Sequence, residues 1–156
     1  MKIAFFELEP WEREFFQEKL NGQKLIFIAG ELAERSTNKI KDVDAIVVFI
    51  YSVVNKKVLD QLKKLRLVCT MSTGYDHIDV PACSARGVAV TNTPGVLTES
   101  TADFTWALLM AAARRVVEGD IYMRGGKYQG WDPLMILGTD VFGKTRNDFG
   151  GIGIVH

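Results

Sequence analysis

Cysteine, histidine and long hydrophobic runs are scarce in this chain, and neither sign of charge prevails. Only Cys69 and Cys83 occur, with no CxxC pair and no metal-ligand spacing, which excludes a secreted-type disulfide framework and a cysteine-based zinc site. Lys+Arg and Asp+Glu both total 19, so no net field draws the chain to nucleic acid or an anionic membrane. The pairs Lys56-Lys57 and Lys63-Lys64 stand at helical spacing and read as a solvated helix face. The longest apolar run, Trp106 to Ala113, is far below the ~20 residues that span a bilayer. The opening "MKIAFFELEP" becomes acidic after a few apolar residues and has no signal-peptide cleavage site. These absences predict a reduced, cytoplasmic protein with no membrane or nucleic-acid partner and with buried, structural thiols. The 156 residues, 47% hydrophobic and 24% charged, suffice for one domain with a core and fall short of two full ones.

What is present is an alternation. Apolar runs at "KIAFFEL" (2–8), "KLIFIAG" (24–30), "DAIVVFI" (44–50), "RLVCTMS" (66–72) and "GVAVTN" (87–92) are short and rich in Val, Ile and Phe. Unbroken runs of this length predict strands buried on both faces, and hence a parallel sheet. Between them, "PWEREFFQEKLNG" begins with Pro10 at a helix start and sets Trp11, Phe15 and Leu20 toward one side. "NKKVLDQLKK" groups Val58, Leu59 and Leu62 on one face. "DVPACSARG" offers Asp79 as N-cap and Gly87 as stop. Residues 31–42 carry no clear helical signal. The expectation is a five-stranded, doubly wound α/β sheet with helices on both faces. After the loop "TPGVLTES", the "STAD" of 100–103 reads as a capping box before a long helix, about 99 to 118. That helix contains "WALLMAAA", which has no polar face and must be covered by other protein.

In open α/β sheets, ligands sit at the carboxyl ends of the strands. The first strand ends in Glu7-Leu8-Glu9, which would repel the phosphate of a flavin nucleotide. The third ends in Ile50-Tyr51-Ser52, lacking the aspartate of a phospho-receiver. The fourth ends in "MSTGYDHID", where Ser72, Thr73 and Gly74 let backbone amides approach a ligand closely. Consecutive free amides in such a turn suit a carboxylate; the turn equally reads as a tight connection to the Asp79 cap.

The run "TMSTGYDHIDVPACSARGVAVTNTPGVLTESTADFTWALLMAAARR", with "GWDPLMILGTDVFGKT" after it, resembles the D-isomer-specific 2-hydroxyacid dehydrogenase family, in particular its glyoxylate/hydroxypyruvate reductase branch. The resemblance extends over residues 1 to about 145 and is strongest from 66 onward. It implies a flavodoxin-like substrate-binding domain at 1–98. A crossover and dimerisation helix with its arm follows at 99–145, leading into an NAD(P)-binding Rossmann domain. It further implies that Ser72, Thr73 and Gly74 present amides to a substrate carboxylate and that Tyr51 lines the substrate pocket. By the same resemblance Thr73, Leu97 and Thr101 lie near the cofactor cleft, and Trp131 reaches a partner subunit's site. The implied partners are a small 2-oxo or 2-hydroxy acid, NAD or NADP, and a second copy or a full-length relative.

In the family, "GKT" leads into a strand and the fingerprint G-x-G-x-x-G. Here Arg146-Asn147-Asp148 stands where strand residues belong, and Gly151-x-Gly153 lacks a preceding strand and a following helix. Residues 146–156 therefore read as a tail foreign to the family. The family's catalytic His, Glu and Arg have no counterpart in these 156 residues. His77 reads as a helix-start or packing residue rather than a general base, and His156 is terminal. The leading expectation is the substrate-binding portion of a dehydrogenase, inactive alone. The alternatives are part of an active oxidoreductase completed by further residues, or a non-enzymatic dimerisation module.

Overall fold

The computed structural model describes residues 1–143, so the expectation for 146–156 lies outside the described residues. The chain divides into two compact units at the Gly95–Val96 junction. The first contains β1 (Lys2–Phe5), α1 (Pro10–Lys19), β2 (Lys24–Phe27), β3 (Ala45–Val48), α2 (Lys56–Gln61), β4 (Leu67–Thr70), α3 (Val80–Ala85) and β5 (Ala89–Thr91). The five strands pair parallel in the order β2-β1-β3-β4-β5, which is the flavodoxin-like order. Each expected strand is present. A short 3₁₀ segment, Glu34–Lys39, fills the stretch that carried no helical signal.

Period-two alternation sends each strand's residues to both faces, as the apolar runs required. Ala4 and Phe6 of the first strand region, with Ile46, Val48 and Val68, pack against Val58, Leu59 and Leu62 near α2 and against Cys83 of α3. Ile3, Phe5, Ala45 and Val47 point the other way, toward Phe16 and Leu20. Phe5 lies 4.8 Å from the Phe16 ring and 5.2 Å from Phe27. The partly buried stripe of α1 therefore keeps the expected Leu20 but not Trp11 and Phe15. Trp11 and Phe15 are exposed, because Phe16 and Leu20, also spaced i,i+4, are the pair that meets Phe5. On this second face Leu67, Cys69 and Met71 are only partly buried, so Cys69 is not the fully buried thiol expected, whereas Cys83 is. Asp79 caps α3 by accepting from the Ala82 amide at 2.9 Å.

At the carboxyl edge one side chain joins three loops. Glu7, just past β1, has φ 57°, a left-handed conformation that costs a non-glycine residue about 1–2 kcal/mol. Its carboxylate accepts from the Phe49 amide at 3.0 Å, the Tyr51 amide at 2.9 Å and the Ser52 hydroxyl. Ser52 Oγ accepts in turn from the Leu32 amide at 2.8 Å. The connections after β1, β2 and β3 are thus tied to one another, and the backbone carrying Tyr51 is fixed.

The second unit holds α4 (Thr98–Ala113) and α5 (Val116–Arg124). The single long helix expected over 99–118 is instead two. Thr139 donates its amide to the Ala113 carbonyl at 2.7 Å, taking the acceptor that a continuing helix would use. Gly138 permits this approach, since a Cβ there would stand 2.5 Å from that same oxygen. Arg115 then turns at φ 53° and opens α5. The start also differs. The helix begins at Thr98, and Ser100, the expected cap, lies inside it and donates to the Leu97 carbonyl at 3.2 Å. No residue of α4 or α5 is buried. Among the described residues, no helix is long and apolar enough to cross a membrane.

The Glu7 clamp makes a stability prediction. Hydrogen bonds to a charged group contribute roughly 1.5–3 kcal/mol each, so Glu7→Ala should lower urea-measured stability by about 2–4 kcal/mol. Glu7→Gly removes the same bonds and relieves the left-handed strain, so it should cost about 1 kcal/mol less than Glu7→Ala.

Candidate functional site

Two features meet at the carboxyl edge of the first unit. One is a cleft of about 600 Å³ lined by Glu7, Leu8, Glu9, Glu12, Gly30, Phe49, Tyr51 and Met71. It lies where the strand order reverses between β1 and β3, the position at which open sheets bind ligands. The other is the turn after β4, which begins at Met71 and so adjoins the cleft directly. Tyr51 is 70% exposed and, among the described residues, hydrogen-bonded through its amide alone, so its ring is open to a ligand.

The turn is held by its carbonyls. Ser72 Oγ donates to the Gly74 carbonyl at 2.7 Å, and Asn92 Nδ2 donates to the Thr73 carbonyl at 2.8 Å. Thr73 Oγ1 donates to the Thr93 carbonyl at 3.1 Å, and the Thr93 amide donates to the Ser72 carbonyl at 3.1 Å. Among the described residues, the amides of Thr73, Gly74 and Tyr75 donate to no acceptor. A run of unpaired amides beside engaged carbonyls is a surface of partial positive charge, suited to an anion. Gly74 keeps it open: a Cβ there would meet only Asp76 Oδ2, at 3.7 Å.

Behind the turn, Thr70 Oγ1 lies 2.5 Å from Ser72 Oγ and 3.0 Å from His77 Nε2. Burial pushes the His77 imidazole below its ordinary pKa, against the opposing pull of Glu7 and Asp76. His77 is half-buried, and its ring is hydrogen-bonded to Thr70, the turn's support.

The fold brings Ser72, Thr73 and Gly74 together in one turn and puts Tyr51 in the adjoining cleft. Leu97, Thr101 and Trp131 belong to the second unit. Thr101 there donates its amide to the Leu97 carbonyl at 2.9 Å and accepts from Thr105 Oγ1 at 2.7 Å. Trp131 is 82% exposed, on a shallow hollow with Tyr122, Lys127 and Met135. Glu7, Thr70 and Asn92 were not singled out in the sequence as constructive parts of the site. The acidic strand end was legible, but the backbone turn that aims Glu7 inward leaves no residue signature.

Residues 3–145 match the family described as D-isomer specific 2-hydroxyacid dehydrogenase, catalytic domain. The chain is 47% identical over 141 residues to a glyoxylate reductase of Korarchaeum cryptofilum, covering 90% of this chain and 38% of that one. It is 42% identical over 156 residues to a glyoxylate reductase of Thermococcus gammatolerans, covering 95% and 42%. Among solved structures, the TT0316 protein from Thermus thermophilus superposes with a TM-score of 0.74 at 34% identity, over 90% of this chain and 45% of that one. D-lactate dehydrogenase from Aquifex aeolicus, complexed with NAD and lactic acid, superposes with a TM-score of 0.80 at 25% identity, over 89% and 41%. The chain thus spans about two fifths of the length of the curated relatives it matches. Its match over 3–145 and its fold place it in the D-isomer specific 2-hydroxyacid dehydrogenase family.

Proposed function

We propose that residues 1–98 are the substrate-binding portion of an NAD(P)-dependent D-2-hydroxyacid dehydrogenase of the glyoxylate reductase type. The amides of the Ser72–Gly74 turn receive the carboxylate of a small 2-oxo or 2-hydroxy acid, and Tyr51 closes one side. The observation that carries this reading is the row of amides at Thr73, Gly74 and Tyr75, without acceptors among the described residues. Backbone N–H groups suit the task because they do not titrate and have no rotamer freedom to freeze. Two or three such bonds give a net of about −4 kcal/mol, a Kd on the order of 1 mM. Titrations therefore need tens of millimolar ligand.

The family's cofactor is a nicotinamide dinucleotide, and the first unit does not fit one. Glu7, Glu9 and Glu12 line the cleft at the switch point, and the Glu12 carboxylate takes the Glu9 amide at the start of α1 at 2.8 Å. That helix start is closed to a pyrophosphate by charge and by an occupied donor. Within this unit Thr73 alone, of the residues the resemblance places near the cofactor, offers a contact for a nicotinamide, too little to offset the entropy of immobilising a dinucleotide. His77, bonded to Thr70, is not a free general base. We infer that the 156 residues alone do not turn over. A second reading, part of an oxidoreductase completed by further residues, is favoured by the relatives' greater length.

The second unit supplies the partner surface. Phe104, Leu108, Val117, Ile121, Leu134 and Leu137 are each more than half exposed, a density of apolar groups that marks an interaction surface. In this proposal it forms a homodimer arm, or pairs with a full-length relative, and carries Trp131 to the partner's site.

Three results check these readings. Thr73→Ala should leave glyoxylate affinity within about twofold, whereas Gly74→Val should abolish binding by blocking close approach; the open space around Gly74 lets that variant fold. Equal tolerance of both changes would reject the turn as the site. Calorimetric titration with NADH or NADPH should show no saturable binding, and absorbance should show no NADH oxidation with glyoxylate; steady turnover would refute inactivity. Light scattering should report a dimer, and a monodisperse monomer would count against the arm.

A further inference from the structure

We propose that His77 is a positioning residue of the carboxylate-binding turn, acting through Thr70 and Ser72 to hold the Gly74 peptide. The inference deepens the reading of Ser72–Gly74 as the substrate turn and rests on it. It follows from counting protons. Ser72 has one hydroxyl proton, and the geometry assigns it to the Gly74 carbonyl, 2.7 Å away. The 2.5 Å contact between Ser72 Oγ and Thr70 Oγ1 must then use the Thr70 proton. With that proton committed, Thr70 Oγ1 can only accept at 3.0 Å from His77, so Nε2 carries the imidazole proton. The result is a one-way chain from His77 Nε2–H to Thr70, to Ser72, to the Gly74 carbonyl.

The chain is well placed to act. Thr70 is 2% exposed and Ser72 9%, so its bonds lie where water competes little and a missing partner is costly. His77 is pinned independently of its ring, since its carbonyl accepts from the Val54 amide at 2.9 Å. Each bond's consequence passes through peptide geometry. All peptides here are trans, so C=O and N–H point in opposite directions across each plane. Holding the Gly74 carbonyl toward Ser72 aims the Tyr75 N–H away from it. Holding the Thr73 carbonyl toward Asn92 does the same for the Gly74 N–H. Each of the two amides is thereby oriented before any ligand arrives. Asn92 orients one peptide and His77, through two hydroxyls, orients the other.

The test uses the whole 156-residue chain at pH 7.5. Long-range ¹⁵N–¹H NMR of the imidazoles has only two histidines to resolve, His77 and His156; the expected result for His77 is the neutral Nε2–H tautomer. Glyoxylate titration followed at the Gly74 and Tyr75 amides should show His77→Gln, which keeps a donor near the Nε2 position, within about twofold of the parent. His77→Leu and the isosteric Thr70→Val should each weaken binding about tenfold, on the order of one lost hydrogen bond, and lower the order parameters of those two amides. An Nδ1–H tautomer, or His77→Leu binding as tightly as the parent with unchanged amide order, would overturn the proposal. If the parent itself fails to respond to glyoxylate, the carboxylate reading falls, and the tautomer and amide order still decide whether His77 holds the turn. Should His77→Leu unfold, the comparison of His77→Gln with Thr70→Val decides it.

Discussion

A parallel sheet collects all its ligand-facing loops at one edge, and those loops must be held in register without strand pairing to help. In this chain the Glu7 carboxylate supplies much of that restraint. It stands just past β1, an interior strand beside β3, and accepts from two amides and a hydroxyl of the β3–α2 connection. Through Ser52 it also fixes the connection after β2. The left-handed backbone at Glu7 is what aims the side chain inward. A strained conformation persists only when its surroundings over-determine it, and three hydrogen bonds to a charge outweigh a strain of about 1–2 kcal/mol. The negative charge has a second effect, since it keeps the switch-point cleft unsuited to phosphate.

The two halves of the edge therefore differ in electrostatic character. Around β1 the edge is acidic and internally satisfied. After β4 it is a row of amides with no acceptor among the described residues, behind which every nearby carbonyl is engaged. Donors of this kind are effective because their orientation is set in advance, so little reorganisation accompanies binding. A carboxylate bound at the turn is repelled by the acids of the cleft and drawn to the amides, which gives the proposed site a direction as well as a location.

Much of the fold was legible because burial on both faces leaves a plain mark in sequence. "DAIVVFI" cannot lie on a half-exposed sheet, and five such runs separated by helical segments admit few topologies. Asp79 and Gly87 were readable because capping and left-handed stops demand particular residue types. The choice of stripe on α1 was not. Trp11/Phe15 and Phe16/Leu20 have the same spacing, and only the position of Phe5 in three dimensions selects between them. The turn at Ser72–Gly74 was visible as a cluster of small residues, whereas its supports were not. Nothing about a threonine in a strand or a histidine seven residues later announces a hydrogen bond between them. The break after Ala113 was hidden for a similar reason. It is made by Gly138 and Thr139, some 25 residues downstream, taking a carbonyl that the helix would have used.

That break bears on how the second unit can act. A single helix of twenty residues would present its apolar surface along one straight line. Two helices meeting at Arg114–Arg115 divide it. Phe104 and Leu108 fall on one segment, and Val117 and Ile121 on the other, all exposed. Charged pairs along these helices, such as Arg124 with Asp120 at 2.8 Å, are solvent-facing and contribute little to holding the unit together. With no buried residue in either helix, packing within the described part of the unit provides little of the apolar burial that stabilises helices in proteins. The proposed source of further burial is cover from outside it. A bent apolar surface can enclose a partner element on two sides, where a straight one offers a single seam. For the proposed arm, cover by a partner would therefore supply the apolar burial that α4 and α5 lack among the described residues.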